Sequence, residues 1–128
     1  MTSPGLVNTL AAMLSLIEEA GVVVLTLTEG LEQSEFLGSF LTRREVRCQI
    51  DTITLSVASL STSSRQRLPE IDWDGWTACA LGLDQGGEAE DDALWFALRS
   101  LVPATLMWLR VYRSSQPELF SLAPGVAR

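Results

Sequence analysis

Five apolar residues, Val46, Ile50, Ile53, Val57 and Leu60, alternate spacings of four and three along an otherwise polar stretch. At 3.6 residues per turn an α-helix gathers such positions on one side, so the spacing predicts an amphipathic helix of about five turns with a narrow apolar stripe. Ile53-Thr54-Leu55-Ser56-Val57 within it alternates as a strand would, but the longer stripe decides for a helix. Thr42-Arg43-Arg44-Glu45 has the form of a capping box, in which threonine and glutamate each satisfy a free amide, and predicts where the helix starts.

The same period organises the rest. Leu6, Leu10, Met13, Leu14, Ile17, Val24 and Leu25 draw a first helix, with Ser3 and Pro4 suited to its start and Gly30 to its stop. The β-branched run 22–28 would suit a strand, yet the stripe continues in phase through it. A short element is expected over 32–40, where Phe36 and Phe40 stand four apart. Residues 61–67 read as a polar turn and 68–73 as an extended connector, after which Asp72 caps a short helix over 73–81. The glycine- and acid-rich stretch 82–92 reads as a loop, with Asp91 and Asp92 placed to favour the next helix's positive end. Leu94, Trp95, Leu98, Leu101, Val102, Leu106, Leu109 and Tyr112 give the last helix a wide apolar face, bent near Pro103. From Ser114 on, Pro117 and Pro124 suggest a loosely held tail. The expected fold is all-α: a single-domain, up-and-down bundle of four to five helices over residues 1–113, followed by a tail, 114–128.

Composition narrows function more sharply than fold. The 128 residues carry 16 acidic side chains against 9 basic ones, a net charge of −7, and no histidine. A Ser-His-Asp triad, a Cys-His dyad, a histidine general base and a histidine-ligated metal or haem are therefore excluded. The acidity sets the overall field against nucleic acid, so RNA binding is not expected. Glu18, Glu19, Arg99 and Pro103 interrupt the two longest apolar stretches, and residues 1–7 lack a cationic region, so neither a membrane span nor a signal peptide is expected. Cys48 and Cys79 lie 31 positions apart, with no CxxC spacing, and are expected as two buried thiols in the cytoplasm, a disulfide being the alternative.

Four groups of side chains are candidates for chemistry. Glu88, Glu90, Asp91 and Asp92 lack the order of a calcium loop and fit a solvated, helix-capping run, so no metal or cofactor is expected. Glu18, Glu19 and Asp51 fit exposed helix faces. Arg43, Arg44 and Arg47 are the one basic cluster: an anion or partner site, or ion pairs with Glu45 or Asp51 along the helix surface. Trp73, Trp76, Trp95 and Trp108 are expected in the core or at a subunit interface.

Leu68-Pro69-Glu70-Ile71-Asp72-Trp73, followed by Asp91, Trp95 and Leu101-Val102-Pro103-Ala104-Thr105-Leu106, resembles the HepT-like branch of the HEPN superfamily, over residues 17 to 112. That resemblance implies an all-helical homodimer, a metal-independent endoribonuclease, and a nucleotidyltransferase-type antitoxin partner that modifies a tyrosine. The arginine of the family's R-x(4–6)-H signature would fall on Ala80 and its histidine on Gln85; Gly86 keeps the following glycine, and the tyrosine position is Gly87. Neither signature residue is carried over, and loss of general acid–base groups alone removes about 10²–10⁴ in rate each. The expectation is a non-catalytic HEPN-like protein acting through protein binding or self-association in a toxin–antitoxin or defence setting. Any surviving anion site would draw on Arg43, Arg44, Arg47 or Arg99. The alternatives are an atypical endoribonuclease using Gln85, Asp84 or Arg99, and an unrelated helical adaptor.

Overall fold

A computed structural model describes the backbone of residues 4–121 and the side chains from residue 9 onward. It is an all-α helical bundle with no strand among the described residues. The helices are α1 (Pro4–Thr28), α2 (Gln33–Gly38), α3 (Phe40–Ala58), α4 (Thr62–Gln66), α5 (Trp73–Gln85), α6 (Gly87–Phe96) and α7 (Val102–Ser115). A π turn, Ala97–Leu101, joins α6 to α7, and a 3₁₀ turn, Pro117–Phe120, follows α7.

The predicted stripes are the core. Leu10, Leu14, Ile17 and Val24 of α1 are buried with Val46, Ile50, Ile53 and Val57 of α3, while Leu25 and Met13 pack at the margin. Leu6 and Ser3 lie outside the described side chains. Leu55 is 69% exposed while Ile53 and Val57 are buried. An alternating strand would have put all three on one face, so burial follows the helical period. In α1 the Thr26 and Thr28 hydroxyls donate to the carbonyls of Val22 and Val24 at 2.9 and 2.8 Å. Their polar atoms are thus satisfied inside the helix, which lets a β-branched run remain helical. Gly30, with φ 77°, ends the segment as expected.

Several boundaries differ from the expectation. Helix α3 starts at Phe40, so Thr42 and Glu45 sit inside it and make no capping box; Ser39 occupies the cap position, its hydroxyl donating to Thr42 Oγ1 at 3.0 Å. The reciprocal bond appears one helix earlier, where the Glu32 amide donates to Glu35 Oε1 at 2.9 Å. Phe36 is buried whereas Phe40 is 70% exposed, because the short element ends at Gly38 and Phe40 belongs to the next helix. The polar turn 61–67 contains α4, capped by Ser61 Oγ, which accepts from the Ser64 amide at 3.1 Å. Asp72 caps α5 as predicted, accepting from the Gly75 amide at 2.8 Å.

The largest correction concerns 82–92. Helix α5 runs on to Gln85, and α6 begins at Gly87, so the expected loop contracts to one residue, Gly86. Gly82 is not a turn residue: a Cβ there would sit 3.0 Å from the Ala93 Cβ, and its absence lets α5 and α6 approach. Gly86 has φ 69° and ψ −177°, a conformation open in practice only to glycine. The bend foreseen at Pro103 is the π turn just before it. Proline lacks the amide that would bond the carbonyl four residues back, and the ladder relaxes accordingly. The segment expected as a tail begins as ordered structure: α7 reaches Ser115, and Leu119 in the 3₁₀ turn is buried. Residues 122–128 lie outside the described residues.

The stretches Thr9–Thr28 and Gly87–Ser115 are long and apolar enough to cross a membrane by length and composition, although 39% of each is buried inside the bundle. The interruptions by Glu18, Glu19, Arg99 and Pro103 therefore do not lower the average enough to fail that test.

Replacing Gly86 by alanine should cost about 1–3 kcal/mol in urea unfolding. Gly38→Ala, at a helix end with ordinary φ and open space for a Cβ, should not destabilise; equal losses would show that Gly86's backbone conformation is not the cause.

Candidate functional site

Helix α3 carries the basic cluster, and α6 runs alongside it. Arg43 pairs with Asp91 and stands 3.9 Å from Glu90 Oε2. Arg47 donates from Nε to Asp51 Oδ1 at 3.0 Å and from Nη1 to Glu90 Oε2 at 2.6 Å. The Arg47–Asp51 pair is the one anticipated within α3; the links to Glu90 and Asp91 span 43 and 48 residues. The acidic run is thus only partly solvent-facing, since Glu90 and Asp91 are turned to the arginines while Glu88 is exposed in the first turn of α6. Burial opposes the Arg47 charge, but the hydrogen bonds and charges of Asp51 and Glu90 outweigh it and hold its pKa above the ordinary value. Arg44 is exposed and has no hydrogen-bond or ion-pair partner among the described residues. Arg99 is not part of this cluster: it lies on the π turn, its guanidinium 5.5 Å from the Trp95 ring centroid.

Two grooves flank α3. One, of about 240 Å³, is lined by Phe40, Arg43, Arg44, Arg47, Cys48 and Glu90. The other, of about 390 Å³, lies between α3 and α5, where Arg47, Asp51, Thr54, Leu55 and Ala58 face Ala80, Leu83 and Asp84. Ala80 therefore borders a groove with charged walls but contributes only a methyl group. Gln85 is exposed at the last position of α5, and Gly87 is exposed at the first of α6. The structure thus brings Ala80 and Asp84 toward Arg47 and Asp51, while Gln85 and Gly87 sit at the α5–α6 corner.

The cysteines differ from the expectation of two buried thiols. Cys79 is buried, but Cys48 is exposed, because it lies opposite the apolar stripe of α3. Both are free. Burial pushes the Cys79 thiol up to about 11, with Asp51 adding to the rise and Arg47 opposing it. A thiol so placed stays protonated at neutral pH and is no nucleophile. Among the described residues no group of three or more His, Cys, Asp and Glu side chains could hold a metal ion.

The tryptophans divide. Trp73 and Trp76 are buried, while Trp95 and Trp108 are partly buried at the core's edge. Trp76 Nε1 donates to Thr105 Oγ1 at 3.0 Å, and Trp73 Nε1 to the Leu68 carbonyl at 3.0 Å. The Glu70 amide donates to Tyr112 Oη at 3.1 Å. The segment 68–73, with Leu68, Ile71 and Trp73 all buried, is a plug fastened to α7.

Comparison with known proteins finds no matching family model, no similar curated protein and no similar solved structure.

At neutral pH a thiol reagent should modify Cys48 rapidly and Cys79 only after denaturation. The raised Cys79 value also has a thermodynamic sign. The unfolded thiol ionises first, so stability present below pH 9 falls as pH rises toward about 11. The stability difference between wild type and Cys79→Ala should change by on the order of 2 kcal/mol across that window; parallel curves would show that Cys79 ionises as freely folded as unfolded.

Proposed function

We propose that this chain is a non-catalytic helical binding protein, acting through protein contacts or self-association. The observation that carries the reading is the α3–α5 groove, in which Ala80 faces Arg47 and Asp51. Phosphodiester cleavage needs a group that moves a proton near pH 7 and a cation free to stabilise the phosphorane. No histidine exists in the sequence, and the nearby cations Arg43 and Arg47 are engaged by Glu90, Asp91 and Asp51. Within the groove itself the carboxylates of Asp51 and Asp84 outnumber the single cation, Arg47, which also makes it a poor site for a polyanion.

The likeness to HepT-like HEPN proteins fits this reading at the level of scaffold. The segment 68–73 that carries the likeness closes the core, a role that survives loss of catalysis. On this reading the protein belongs to a toxin–antitoxin or defence setting, and its partner is a nucleotidyltransferase-type protein or a second copy. A tyrosine-directed modification would find Gly87 at the corresponding position and no acceptor there.

Purified protein incubated with end-labelled RNA, with and without EDTA, should leave the RNA intact. Cleavage that co-elutes with the protein and is lost in Gln85→Ala would replace this reading with an atypical ribonuclease.

A further inference from the structure

Helix α3 buries one side and presents another to solvent with a regular pattern. Leu41 and Leu55, 75% and 69% exposed, stand seven residues either side of the exposed Cys48. Seven residues are nearly two turns, so the three form one straight outward stripe. One flank of it carries Arg44 and Asp51, the other Glu45 and Thr52. We propose that this face is a self-association surface, on which a second copy packs its α3 antiparallel about a two-fold axis passing at Cys48. The proposal rests on the reading above and names the partner for one surface.

The register follows from symmetry and charge. Under a two-fold axis at Cys48, residues equally far from it on opposite sides meet, so Leu41 faces the partner's Leu55 and Cys48 faces its own copy. In an antiparallel pair like flanks adjoin, which sets Arg44 against Asp51 of the second copy, and the reverse, two ion pairs for one operator. Arg44 has no partner among the described residues, and the Asp51 side chain remains 44% exposed beside Arg47, free to take a second donor. On the other flank Glu45 meets Thr52, with no like charges opposed. A parallel arrangement would set Arg44 against Glu45 of the second copy, but it would bring like helix ends together and leave Asp51 opposite Thr52, so that a charge change at Asp51 would not matter there.

The experiment is charge exchange read by sedimentation velocity at micromolar concentration. Wild type should sediment as a dimer. Arg44→Glu alone and Asp51→Arg alone should each weaken it by at least about tenfold, since each juxtaposes like charges twice. An equimolar mixture of the two variants should recover the dimer, because both cross pairs are then opposite in sign. Circular dichroism confirms that each variant keeps its helices. Copper–phenanthroline oxidation should give a disulfide-linked dimer that Cys48→Ser abolishes and Cys79→Ser does not. A wild-type monomer, folded variants that fail to recover on mixing, or a cross-link independent of Cys48 would each overturn the interface. RNA turnover by a dimer would overturn the binding-protein reading and leave the interface standing; a monomer inert toward RNA would do the opposite.

Discussion

One fully enclosed indole governs the arrangement of the second half of the chain. Trp76 has no exposed surface, and a buried N–H left unpaired would cost about 1–3 kcal/mol. Thr105 supplies its acceptor, itself buried on the first turns of α7. That pair fixes α5 against α7, and the π turn with Pro103 behind it lets the continuous α6–α7 rod present Ala97, Leu98, Leu101 and Val102 inward. Two further aromatic polar atoms, Trp73 Nε1 and Tyr112 Oη, fasten the 68–73 connector across the same region. With α5 held, Ala80 and Asp84 have only one place to go, beside Arg47 and Asp51 of α3.

The side of α3 facing α6 shows how an acidic protein uses its few cations. Arg43 and Arg47 reach across to Glu90 and Asp91 rather than to solvent, and the half-buried setting strengthens each pair beyond an isolated surface bridge. The same contacts withdraw those guanidinium groups from any incoming phosphate. A cluster that in sequence allows either an anion site or ion pairs along one helix thus serves as a clasp between two helices. The acidic stretch beyond Gly86 is its other half.

The helical stripes, the Asp72 cap and the stop at Gly30 were legible because each is local: period, cap chemistry and glycine backbone freedom act within a turn or two. The stretch 82–92 was not. Glycine and acidic residues argue for a loop on local grounds, but Gly82 is there so that Ala93 can approach, a tertiary reason invisible along the chain. Likewise Thr42-Arg43-Arg44-Glu45 has capping-box spelling, yet α3 has already begun at Phe40, with Ser39 three residues before Thr42 in the N-cap position, and the helix simply runs through it. The partners of Arg43 and Arg47 lie more than forty residues away, beyond any spacing rule. Cys48 reads as buried from its residue type, and as exposed once the stripe of α3 is phased, so that signal was present in the sequence.

The narrowness of that stripe has a consequence for the surface. Val46, Ile50, Ile53 and Val57 occupy only one side of α3, and Arg43 and Arg47 take the adjoining side facing α6. Because burial and the arginine clasp both act on the same helix, from different directions, they fix its rotation about its own axis as well as its position. The outward side is therefore held at a set angle, with Leu41, Cys48 and Leu55 in line. A surface helix free to roll would blur such a pattern over time. Here the ion pairs that occupy Arg43 and Arg47 also keep the outward charged residues Arg44, Glu45 and Asp51 at a defined spacing. The occupation of Arg43 and Arg47 and the fixed angle of the outer face of α3 thus have a common cause in the contacts between α3 and α6.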